Sequence, residues 1–377
     1  MLLSNAYRPD PRVQREARAL ADAGYRVTII CWDRQAEFQE RQSLDGVEIR
    51  RVRTVRSAYG SGWRQLFYLP RFWRQAQRLA QELRPDIVHC HDLDTLYVGW
   101  RLKSQLGRLL VYDAHEHYPA LMSLYLPKPL VRALSIFERR LMQRVDVTIT
   151  ASTVLRDEYL TLGFRQAVTL GNYAELAPFA AVTDTQVDAL RSKLAVSSDD
   201  LLVAYIGGFS RNRMLLPWIE AAAQLPAVRF HLWGDGLQRP EIELAVERHP
   251  NVYYHGWLAP GDLPRHFKAA DIIYYCLRLD YPGAVYNAPN TLSNAMAAGR
   301  PIIANDVGDL GRIVRTAKCG VLIDEATPQA IVDAIARLRD PGLRARLGNN
   351  ALQAAKSEYN ATAVTRQIVE LYSGWLD

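Results

Sequence analysis

Short apolar runs alternate along the chain with longer amphipathic stretches. In the first half, the runs that predict buried strands are Val27–Trp32, Ile87–His89, Leu109–Tyr112 and Val147–Ala151. Between them, apolar residues recur at spacings of three and four, which predicts helices over Arg12–Ala23, Trp73–Leu83 and Pro129–Arg144. Strands that alternate with helices over short connections predict parallel pairing, because parallel neighbours need a crossover that is usually helical.

The same alternation starts again in the second half of the chain. The predicted strands there are Leu201–Ile206, Arg229–Trp233, Val252–His255, Ile272–Cys276, Pro301–Ala304 and Gly320–Ile323. The predicted helices are Pro217–Ala223, Pro240–Glu247, Leu263–Ala270, Leu292–Ala298 and Pro328–Leu338. The intervening segment Leu170–Val182 contains Gly171, Asn172 and Pro178 and predicts a linker. Two doubly wound α/β domains in tandem place a ligand cleft between them, at the carboxyl ends of both sheets.

Composition narrows the class of protein. A chain of 377 residues predicts two domains, and 49% hydrophobic with 23% charged residues excludes disorder as the main state. No apolar run approaches the roughly 18–20 residues that span a bilayer, and no signal peptide is visible. The four cysteines form no CxxC pair, which predicts free thiols in a reducing compartment. We therefore expect a cytoplasmic globular protein.

A glycine pair follows one of the predicted strands of the second half. Gly207 and Gly208 come directly after Leu201–Ile206, and Arg211 and Arg213 follow before the next helix. Glycines let the backbone approach a ligand, and a helix N-terminus offers unpaired N–H groups, so this loop predicts a diphosphate site. The alternative is a tight turn with two solvated arginines.

Two further loops of the second half carry candidate ligand groups. Gly234 and Asp235 follow the next strand, where a plain turn is the favoured interpretation. Pro289, Asn290 and Thr291 lead into a short helix that contains Asn294 and ends at Gly299. That helix N-terminus is suited to an anion, and Asn294 to a ribose or sugar hydroxyl. Capping of the helix by Asn290 or Thr291 is compatible with both roles.

Histidines and carboxylates cluster after two predicted strands of the first half. The groups are His89, His91, Asp92 and Asp94, followed a strand later by Asp113, His115, Glu116 and His117. Metal binding is the alternative that this composition raises. Because no spacing such as HExxH is present, polar contacts to a sugar are favoured, with His115 as the main candidate and no metal ligands assigned.

Four segments resemble the retaining GT-B glycosyltransferases of family 4, and the likeness runs over nearly the whole chain. The segments are PDPRV from Pro9, ADAGYRV from Ala21, DAHE from Asp113 and PNTLSNAMAAG from Pro289. The resemblance implies two Rossmann-like domains that face each other across a cleft. It places an acceptor-side domain at 1–172, to which a C-terminal helix at 363–377 returns, and a nucleotide-sugar domain at 180–360.

The resemblance also implies roles for individual residues. Arg213 corresponds to the basic residue that neutralises the donor diphosphate, and His115 to the histidine near the donor sugar and the reaction centre. Of the two glutamates of the family's EX7E pair, the one that faces the transferred sugar is Tyr286 here. The one that holds the ribose is Asn294. An amide bonds a hydroxyl more weakly than a carboxylate does.

The implied activity is sugar transfer with retention from a nucleotide-diphosphate sugar, with UDP- and GDP-sugars as expected donors and no metal required. The expected acceptor is a glycan or a lipid-linked molecule in polysaccharide or glycolipid biosynthesis. Because Tyr286 and Asn294 replace both glutamates, a catalytically weak homologue that serves as a binding or partner subunit is the alternative. A GT-B sugar-nucleotide epimerase is a further one.

One segment accounts for the charge of the chain. The net charge is +6, and Arg53–Arg84 alone holds seven arginines against one acid, Glu82, with Trp63, Phe67, Tyr68, Phe72 and Trp73 among them. Arginines interleaved with aromatics are typical of a segment that lies on anionic lipid, which would make the protein peripheral on the inner face of the plasma membrane. The alternative is a solvated helix face with its aromatics in the core. No nucleic-acid-binding motif accompanies the segment.

Overall fold

The apolar runs of the two halves form two separate sheets. The computed structural model describes residues 1–8, 10–54, 65–123 and 125–375. Its contacts divide the chain into unit 1, Met1–Gly171 with Val364–Asp377, and unit 2, Asn172–Ala363.

Unit 1 is built on an eight-stranded sheet. The strand order is β3-β4-β2-β1-β5-β6-β7-β8, and every neighbouring pair is parallel except β3 with β4. Its strands are β1 (Leu2–Leu3), β2 (Thr28–Trp32), β3 (Arg41–Leu44), β4 (Val47–Val52), β5 (Ile87–His91), β6 (Leu109–Ala114), β7 (Val147–Thr150) and β8 (Ala167–Thr169). Its helices are α1 (Pro11–Asp22), α2 (Gln65–Leu83), α3 (Leu93–Leu106), α4 (Tyr118–Met122), α5 (Lys128–Met142) and α6 (Thr153–Thr161).

Unit 2 is built on a six-stranded sheet in which every pair is parallel, in the order β11-β10-β9-β12-β13-β14. Its strands are β9 (Leu201–Ile206), β10 (Val228–Trp233), β11 (Val252–Tyr254), β12 (Ile272–Tyr275), β13 (Ile302–Asn305) and β14 (Gly320–Ile323). Its helices are α7 (Leu176–Ala180), α8 (Asp184–Lys193), α9 (Leu215–Ala222), α10 (Arg239–Val246), α11 (Leu263–Ala269), α12 (Asn290–Ala297), α13 (Gly308–Ala317), α14 (Pro328–Arg337) and α15 (Pro341–Ser357). The last helix, α16 (Ala361–Ser373), belongs mostly to unit 1.

The residues Asp10 and Pro11 determine where helix α1 begins. Asp10 precedes α1, and its carboxylate accepts from the backbone N–H groups of Arg12 and Val13. Pro11 occupies the first helical position, where its missing N–H costs no hydrogen bond. Val13 and Leu20 then bury one face of α1, which also carries Glu16 into the interior of unit 1.

The strands predicted from the apolar runs are all present, with ends that differ by at most two residues. Strands β1, β3, β4 and β8 were not predicted. They are short or polar on one face, and their apolar runs are correspondingly weak. The predicted linker is wrong in its second half, because α7 lies there and Phe179 is buried in the core of unit 2.

For the segment Arg53–Arg84, the sequence left two interpretations: a surface that lies on anionic lipid, or a solvated helix face with its aromatics in the core. Arg56, Trp63 and Arg64 lie outside the described residues. In the described part, Phe72 is fully buried and stacks on Trp32 with ring centroids 5.2 Å apart. The indole N–H of Trp73 donates to the carbonyl of Asp94 at 2.6 Å. Arginines 71, 74 and 78 are exposed, so this part of α2 is a solvated helix face with its aromatics packed inward.

The length and hydrophobicity of the helices can be compared with what a membrane span requires. Over the described ranges of the chain, the helices are too short or too polar for any of them to cross a bilayer.

Candidate functional site

In unit 2, the loops that follow β9 and β10 pack directly against each other. The N–H of Gly207 donates to the carbonyl of Trp233 at 3.0 Å, and that of Phe209 to the carbonyl of Asp235 at 2.9 Å. A Cβ on Gly234 would lie 1.9 Å from the Gly207 carbonyl oxygen, at a φ of +155°. Gly234 is therefore needed for loop packing, which gives the predicted Gly234–Asp235 turn a physical reason.

The backbone around Arg213 is held by the end of β12. The N–H of Met214 donates to the carbonyl of Cys276 at 3.2 Å, and the N–H of Arg278 donates to the carbonyl of Asn212 at 2.9 Å. Between these two bonds, Arg213 forms an isolated antiparallel bridge with Leu277. This pairing limits the freedom of the loop that carries the guanidinium.

The buried side chain of Asn305 fixes the partner of that loop. Its amide donates to the carbonyl of Leu277 at 2.7 Å, and its Oδ1 accepts from the N–H of Leu277 at 3.1 Å. Asn305 is not among the predicted site residues. The available signal was a polar residue at the carboxyl end of an otherwise apolar strand.

The side chain of Arg213 lies among aromatic rings and keeps donor capacity. Its guanidinium carbon is 4.8 Å from the centroid of the Tyr275 ring. Its Nη1 is buried and has no hydrogen-bond partner among the described residues. The neighbouring Tyr205 hydroxyl donates to the carbonyl of Gly208 at 2.7 Å. A buried guanidinium nitrogen without an acceptor leaves donor capacity that a ligand could use, and the binding of a ligand there stays a prediction.

The start of α12 adjoins the same loop. The Thr291 hydroxyl is buried and donates to the carbonyl of Ile206 at 3.1 Å, while a Cβ on Gly207 would lie 3.5 Å from that hydroxyl oxygen. Pro289 is the residue that precedes the helix, and Asn290 Oδ1 accepts from the amide of Asn172 at 2.6 Å. Thr291 therefore joins the helix N-terminus to the end of β9, with Asn294 one turn further along α12.

The remaining predicted residues of unit 2 lie in less defined surroundings. Arg211 and Gly208 are exposed, and no atom lies within 4 Å of a Cβ built on Gly208. The carboxylate of Asp235 is half exposed and lies 3.7 Å from Arg239. Tyr286 ends a 3₁₀ turn, Ala284–Tyr286, just before the loop into α12. Their predicted contacts to the donor stay predictions.

In unit 1, β5 and β6 place three titratable side chains together. His89 and His91 share one face of β5, and their rings stack with centroids 4.4 Å apart. Asp113 lies opposite His91 in the register of β5 and β6. Its Oδ2 is within hydrogen-bond distance of His91 Nδ1, at 3.1 Å. The predicted strand ended at His89, but β5 continues to His91, which brings both histidines to the same side.

His115 lies between two carboxylates. Its Nε2 is 2.7 Å from Oδ2 of Asp113, and its Nδ1 is 3.8 Å from Oδ2 of Asp92. Burial and Arg12 lower the pKa of His115, but Asp113 and Asp92 outweigh them and raise it to about 9. Burial raises the pKa of Asp113, yet the imidazoles of His115 and His91 bring it well below its usual range. His115 and Asp113 therefore form an ion pair at neutral pH.

The backbone of Asp92 has an unusual conformation. Its φ is +63°, which is uncommon for a residue other than glycine, and its N–H donates to the carbonyl of Asp113 at 3.0 Å. Non-glycine residues in such conformations cluster at functional sites. Asp92 belongs to the predicted cluster without a role of its own, because a positive φ has no signature in an HCHD sequence.

Behind this pair, a polar contact network extends to α1 and α16. The hydroxyl of Tyr372 lies 2.7 Å from His89 Nδ1, and Oε2 of Glu16 lies 3.9 Å from His89 Nε2. Burial, with a further contribution from Asp113, raises the pKa of Glu16 to about 8. Burial, reinforced by His91, lowers the pKa of His89. At neutral pH both side chains are therefore uncharged.

Four of these groups have the donor chemistry of a metal site. Glu16, His89, His91 and Asp113 each place one nitrogen or oxygen within 4.8 Å of the others, and all four are buried. Two imidazoles and two carboxylates are ligands that zinc accepts. Oε2 of Glu16 and Nε2 of His89 and of His91 are buried and have no hydrogen-bond partner among the described residues. The cluster therefore has the ligand types of a metal site, and the expectation that the protein needs no metal stays a prediction.

Comparisons with known proteins agree with this architecture. Residues 12–170 match the model of Glycosyltransferase Family 4, and residues 200–340 match that of Glycosyl transferases group 1. Among curated relatives, the alpha-D-kanosaminyltransferase of Streptomyces kanamyceticus is 26% identical, covering 72% of this chain and 80% of the relative. The alpha-monoglucosyldiacylglycerol synthase of Acholeplasma laidlawii is 20% identical, covering 84% and 81%.

Solved structures share the fold over the whole chain. Sucrose-phosphate synthase from Thermosynechococcus elongatus superposes with a TM-score of 0.84 at 20% identity, covering 100% of this chain and 98% of the other. Anabaena HepE in complex with UDP-glucose gives a TM-score of 0.77 at 19% identity, covering 99% and 98%. The two family models together span 300 of the 377 residues. The chain therefore belongs to the family 4 type of GT-B glycosyltransferases, which use nucleotide sugars.

Proposed function

We propose that this protein is a retaining glycosyltransferase that moves a sugar from a UDP- or GDP-sugar to a glycan or lipid-linked acceptor. The observation that carries the proposal is the buried Nη1 of Arg213, which has no partner among the described residues and lies beside a glycine loop and a helix N-terminus. A relative named as an alpha-monoglucosyldiacylglycerol synthase supports a lipid acceptor.

The leaving diphosphate is the group that unit 2 is suited to stabilise. Arg213 supplies a fixed cation, and the Gly207 and Gly208 segment brings the backbone close without side chains in the way. The N-terminus of α12 adds a partial positive charge next to them. Donors held rigidly where charge develops lower the barrier without reorganisation, so neither a protein nucleophile nor a metal is assigned.

His115 is the proposed contact to the reacting sugar in unit 1. It is an imidazolium at neutral pH, oriented by Asp113 and Asp92, so it donates hydrogen bonds and contributes positive charge. Asn294 is the proposed ribose contact. Its amide replaces the carboxylate that relatives use, and charged hydrogen bonds are about twice as strong as neutral ones. Donor binding should accordingly be weaker than in relatives that keep the glutamate.

The test is donor binding by the Arg213→Ala variant. Loss of a charged contact to a diphosphate costs about 2 kcal/mol or more, so the dissociation constant should rise at least about thirty-fold. Isothermal titration with UDP, GDP, ADP and dTDP sugars measures it on the full chain. Arg248→Ala, which removes an exposed arginine elsewhere in unit 2, is the matched control and should bind as the parent does.

Two results would contradict the proposal. If no nucleotide sugar binds the parent protein, the donor site is wrongly assigned, and if Arg213→Ala binds normally, the role of Arg213 is wrong. Stereochemistry is read by NMR of the product's anomeric proton, where an inverted configuration would exclude retention. Donor binding without transfer to any glycan or lipid acceptor would favour the binding or partner subunit that the loss of both glutamates raises.

A further inference from the structure

Large apolar side chains are unusually exposed on one helix of unit 1. Leu130 and Ile136 of α5 are 54% and 47% exposed, and Phe137 is 37% exposed. Tyr125, in the turn before the helix, is 67% exposed, and Leu126 next to it is 37% exposed. Contiguous apolar surface of this kind marks a site of interaction, whereas single exposed leucines do not.

The helix is firmly anchored on its opposite face, so the exposed residues are held in place. Glu138 is buried and accepts hydrogen bonds from the hydroxyls of Tyr112 and Tyr159 at 2.8 and 3.2 Å. Leu141 and Met142 are also buried. Leu130, Ala133 and Phe137 recur at helical spacing on the outer face, with Ile136 beside them. The apolar stripe therefore points away from the core because the other face is fully used.

Basic side chains surround the apolar stripe. Residues 125–144 contain five of them and a single acid, the buried Glu138. Lys128, Arg132, Arg139 and Arg140 are exposed, and in the described ranges no carboxylate lies within ion-pair distance of them. The fifth, Arg144, stands over the ring of Trp100. We call residues 125–144 the α5 face.

Unit 2 provides a contrasting apolar patch. Leu244 of α10 is as exposed as Leu130, at 54%, but its helix carries Glu241 and Glu243 against the single Arg239, which pairs with Glu243. The charges around Leu244 are therefore mixed and slightly acidic, whereas the α5 face combines exposed apolar groups with uncompensated positive charge. A nucleic acid would match the charges of the α5 face but would leave Leu130, Ile136 and Phe137 in water.

We infer that the α5 face docks the protein on a membrane surface that contains anionic lipid, with the apolar stripe in the headgroup region and the basic side chains at lipid phosphates. This assigns membrane contact to a different segment from Arg53–Arg84, whose described aromatics Phe72 and Trp73 are packed inward. Membrane docking would bring the protein to a lipid-linked acceptor, and only in this respect does it rest on the proposed function.

Vesicle sedimentation of the full chain tests the inference. Vesicles of phosphatidylcholine alone are compared with vesicles that contain phosphatidylglycerol, at low and high salt. The parent protein should bind the anionic vesicles, and high salt should weaken the binding because it screens the arginines. Arg132→Gln with Arg139→Gln should lower the partition coefficient about twenty-five-fold, at roughly fivefold for each charge. Leu130→Ser with Phe137→Ser should lower it on both kinds of vesicle.

Matched controls separate the α5 face from other surfaces. Leu244→Ser removes an equally exposed leucine from the acidic α10, and Arg71→Gln with Arg74→Gln removes two exposed arginines from α2. Both should bind anionic vesicles as the parent does. Equal binding of the parent to neutral and anionic vesicles, no binding at all, parent-like binding by the α5 variants, or loss of binding in the α2 variant would each overturn the inference.

A second measurement keeps these outcomes distinct from misfolding and from failure of the donor site. Each variant is melted with and without the nucleotide sugar that binds the parent. An α5 variant that loses vesicle binding but keeps the melting temperature and the donor-dependent shift supports the inference. If the parent binds vesicles but no nucleotide sugar, the docking surface stands and the proposed donor site fails.

Discussion

Unit 1 and unit 2 share an architecture but build their polar sites from different chemistry. In unit 1, the carboxyl ends of β5 and β6 carry His91, Asp113 and His115, whose protonation states depend on one another. In unit 2, the loops after the carboxyl ends of β9 and β10 carry backbone groups, glycines and the guanidinium of Arg213. The first site depends on proton balance and the second on close packing of loops.

This difference shows that the two sites fail under different perturbations. A site held by charge balance is sensitive to pH and tolerant of small steric changes at its edge. A site held by contact between two loops is insensitive to pH near neutrality and intolerant of a single added methyl group. The predictions below use this difference, starting with the largest effect.

Gly234→Ala should disrupt unit 2 most strongly. The added Cβ would lie 1.9 Å from the Gly207 carbonyl oxygen at a φ of +155°, so the two loops must separate. Steric overlap and backbone strain together cost about 3 kcal/mol or more, and donor binding should be lost with the loop. Urea unfolding followed by tryptophan fluorescence measures the stability.

Gly208→Ala is the control for that substitution. A Cβ on Gly208 meets no atom within 4 Å, so the free energy of unfolding should change by less than about 1 kcal/mol. If Gly234→Ala is no more destabilising than Gly208→Ala, the packed-loop description of unit 2 is wrong.

Raising the pH from 7 to 8.5 should destabilise unit 1 and not unit 2. The pKa of His115 is about 9 in the fold, against 6.5 for an unperturbed histidine, so its stabilising contribution is complete below pH 6.5 and is lost as the pH rises through 9. The pKa of Glu16 is about 8 against 4.5, so the fold binds this proton more tightly too, and stability falls between pH 4.5 and 8. The expected loss is about 1–3 kcal/mol.

Unit 2 has its titrations on the acid side. Burial lowers the pKa of His231 to about 3 and of His255 to about 4, so their neutral forms stabilise the fold above pH 6.5 and that contribution is lost as the pH falls. Pulse proteolysis in urea, with mass spectrometry to assign each cleavage to residues 1–171 or 172–363, measures the two units separately. Equal loss of stability in both units between pH 7 and 8.5 would refute the contrast.

Asn294→Glu should have the smallest effect and the opposite sign. A carboxylate at this position accepts from a ribose hydroxyl more strongly than an amide does, which should tighten donor binding by about 1 kcal/mol, or roughly fivefold. It would also give the unit 2 site a titratable group. Asn294→Gln has the same length without the charge and is the control for calorimetry, and equal affinities in the two variants would remove Asn294 from the ribose site.

Much of the fold was predictable because buried parallel strands have continuous runs of apolar residues in the sequence. Leu201–Ile206 and Gly320–Ile323 were predicted to the residue. Of the strands that were missed, β3 lies at an edge of its sheet with Arg41 and Ser43 exposed, whereas β1 lies inside the sheet but consists of only two residues. Edge strands owe their place to pairing with a neighbour, and local periodicity carries little of that information.

The residues of the candidate site also fall into those that the local sequence predicts and those that it does not. The glycine pair, Arg213 and the loop into α12 were predictable because loops after parallel strands bind ligands and their residue types are distinctive. Asn305 was not, because it acts through Leu277, which is far away in the chain and which only folding brings into contact. The positive φ of Asp92 is likewise a property of its position between β5 and α3.

The amino-acid sequence by itself determined two largely parallel sheets, the positions of most of their strands and the loops that carry the candidate ligand groups, since these follow from local runs and turn residues. Only the tertiary structure decided which apolar helix faces are buried against other elements and which stay exposed. The aromatics Phe72 and Trp73 and the stripe of Leu130 and Phe137 have similar local patterns of basic and apolar residues. Phe72 is buried against Trp32 and the half-buried Trp73 donates to the Asp94 carbonyl, while α5 buries Glu138, Leu141 and Met142 and leaves Leu130 and Phe137 exposed. Which face of a helix is covered depends on the whole assembly of elements, so the local patterns of these two helices do not specify it.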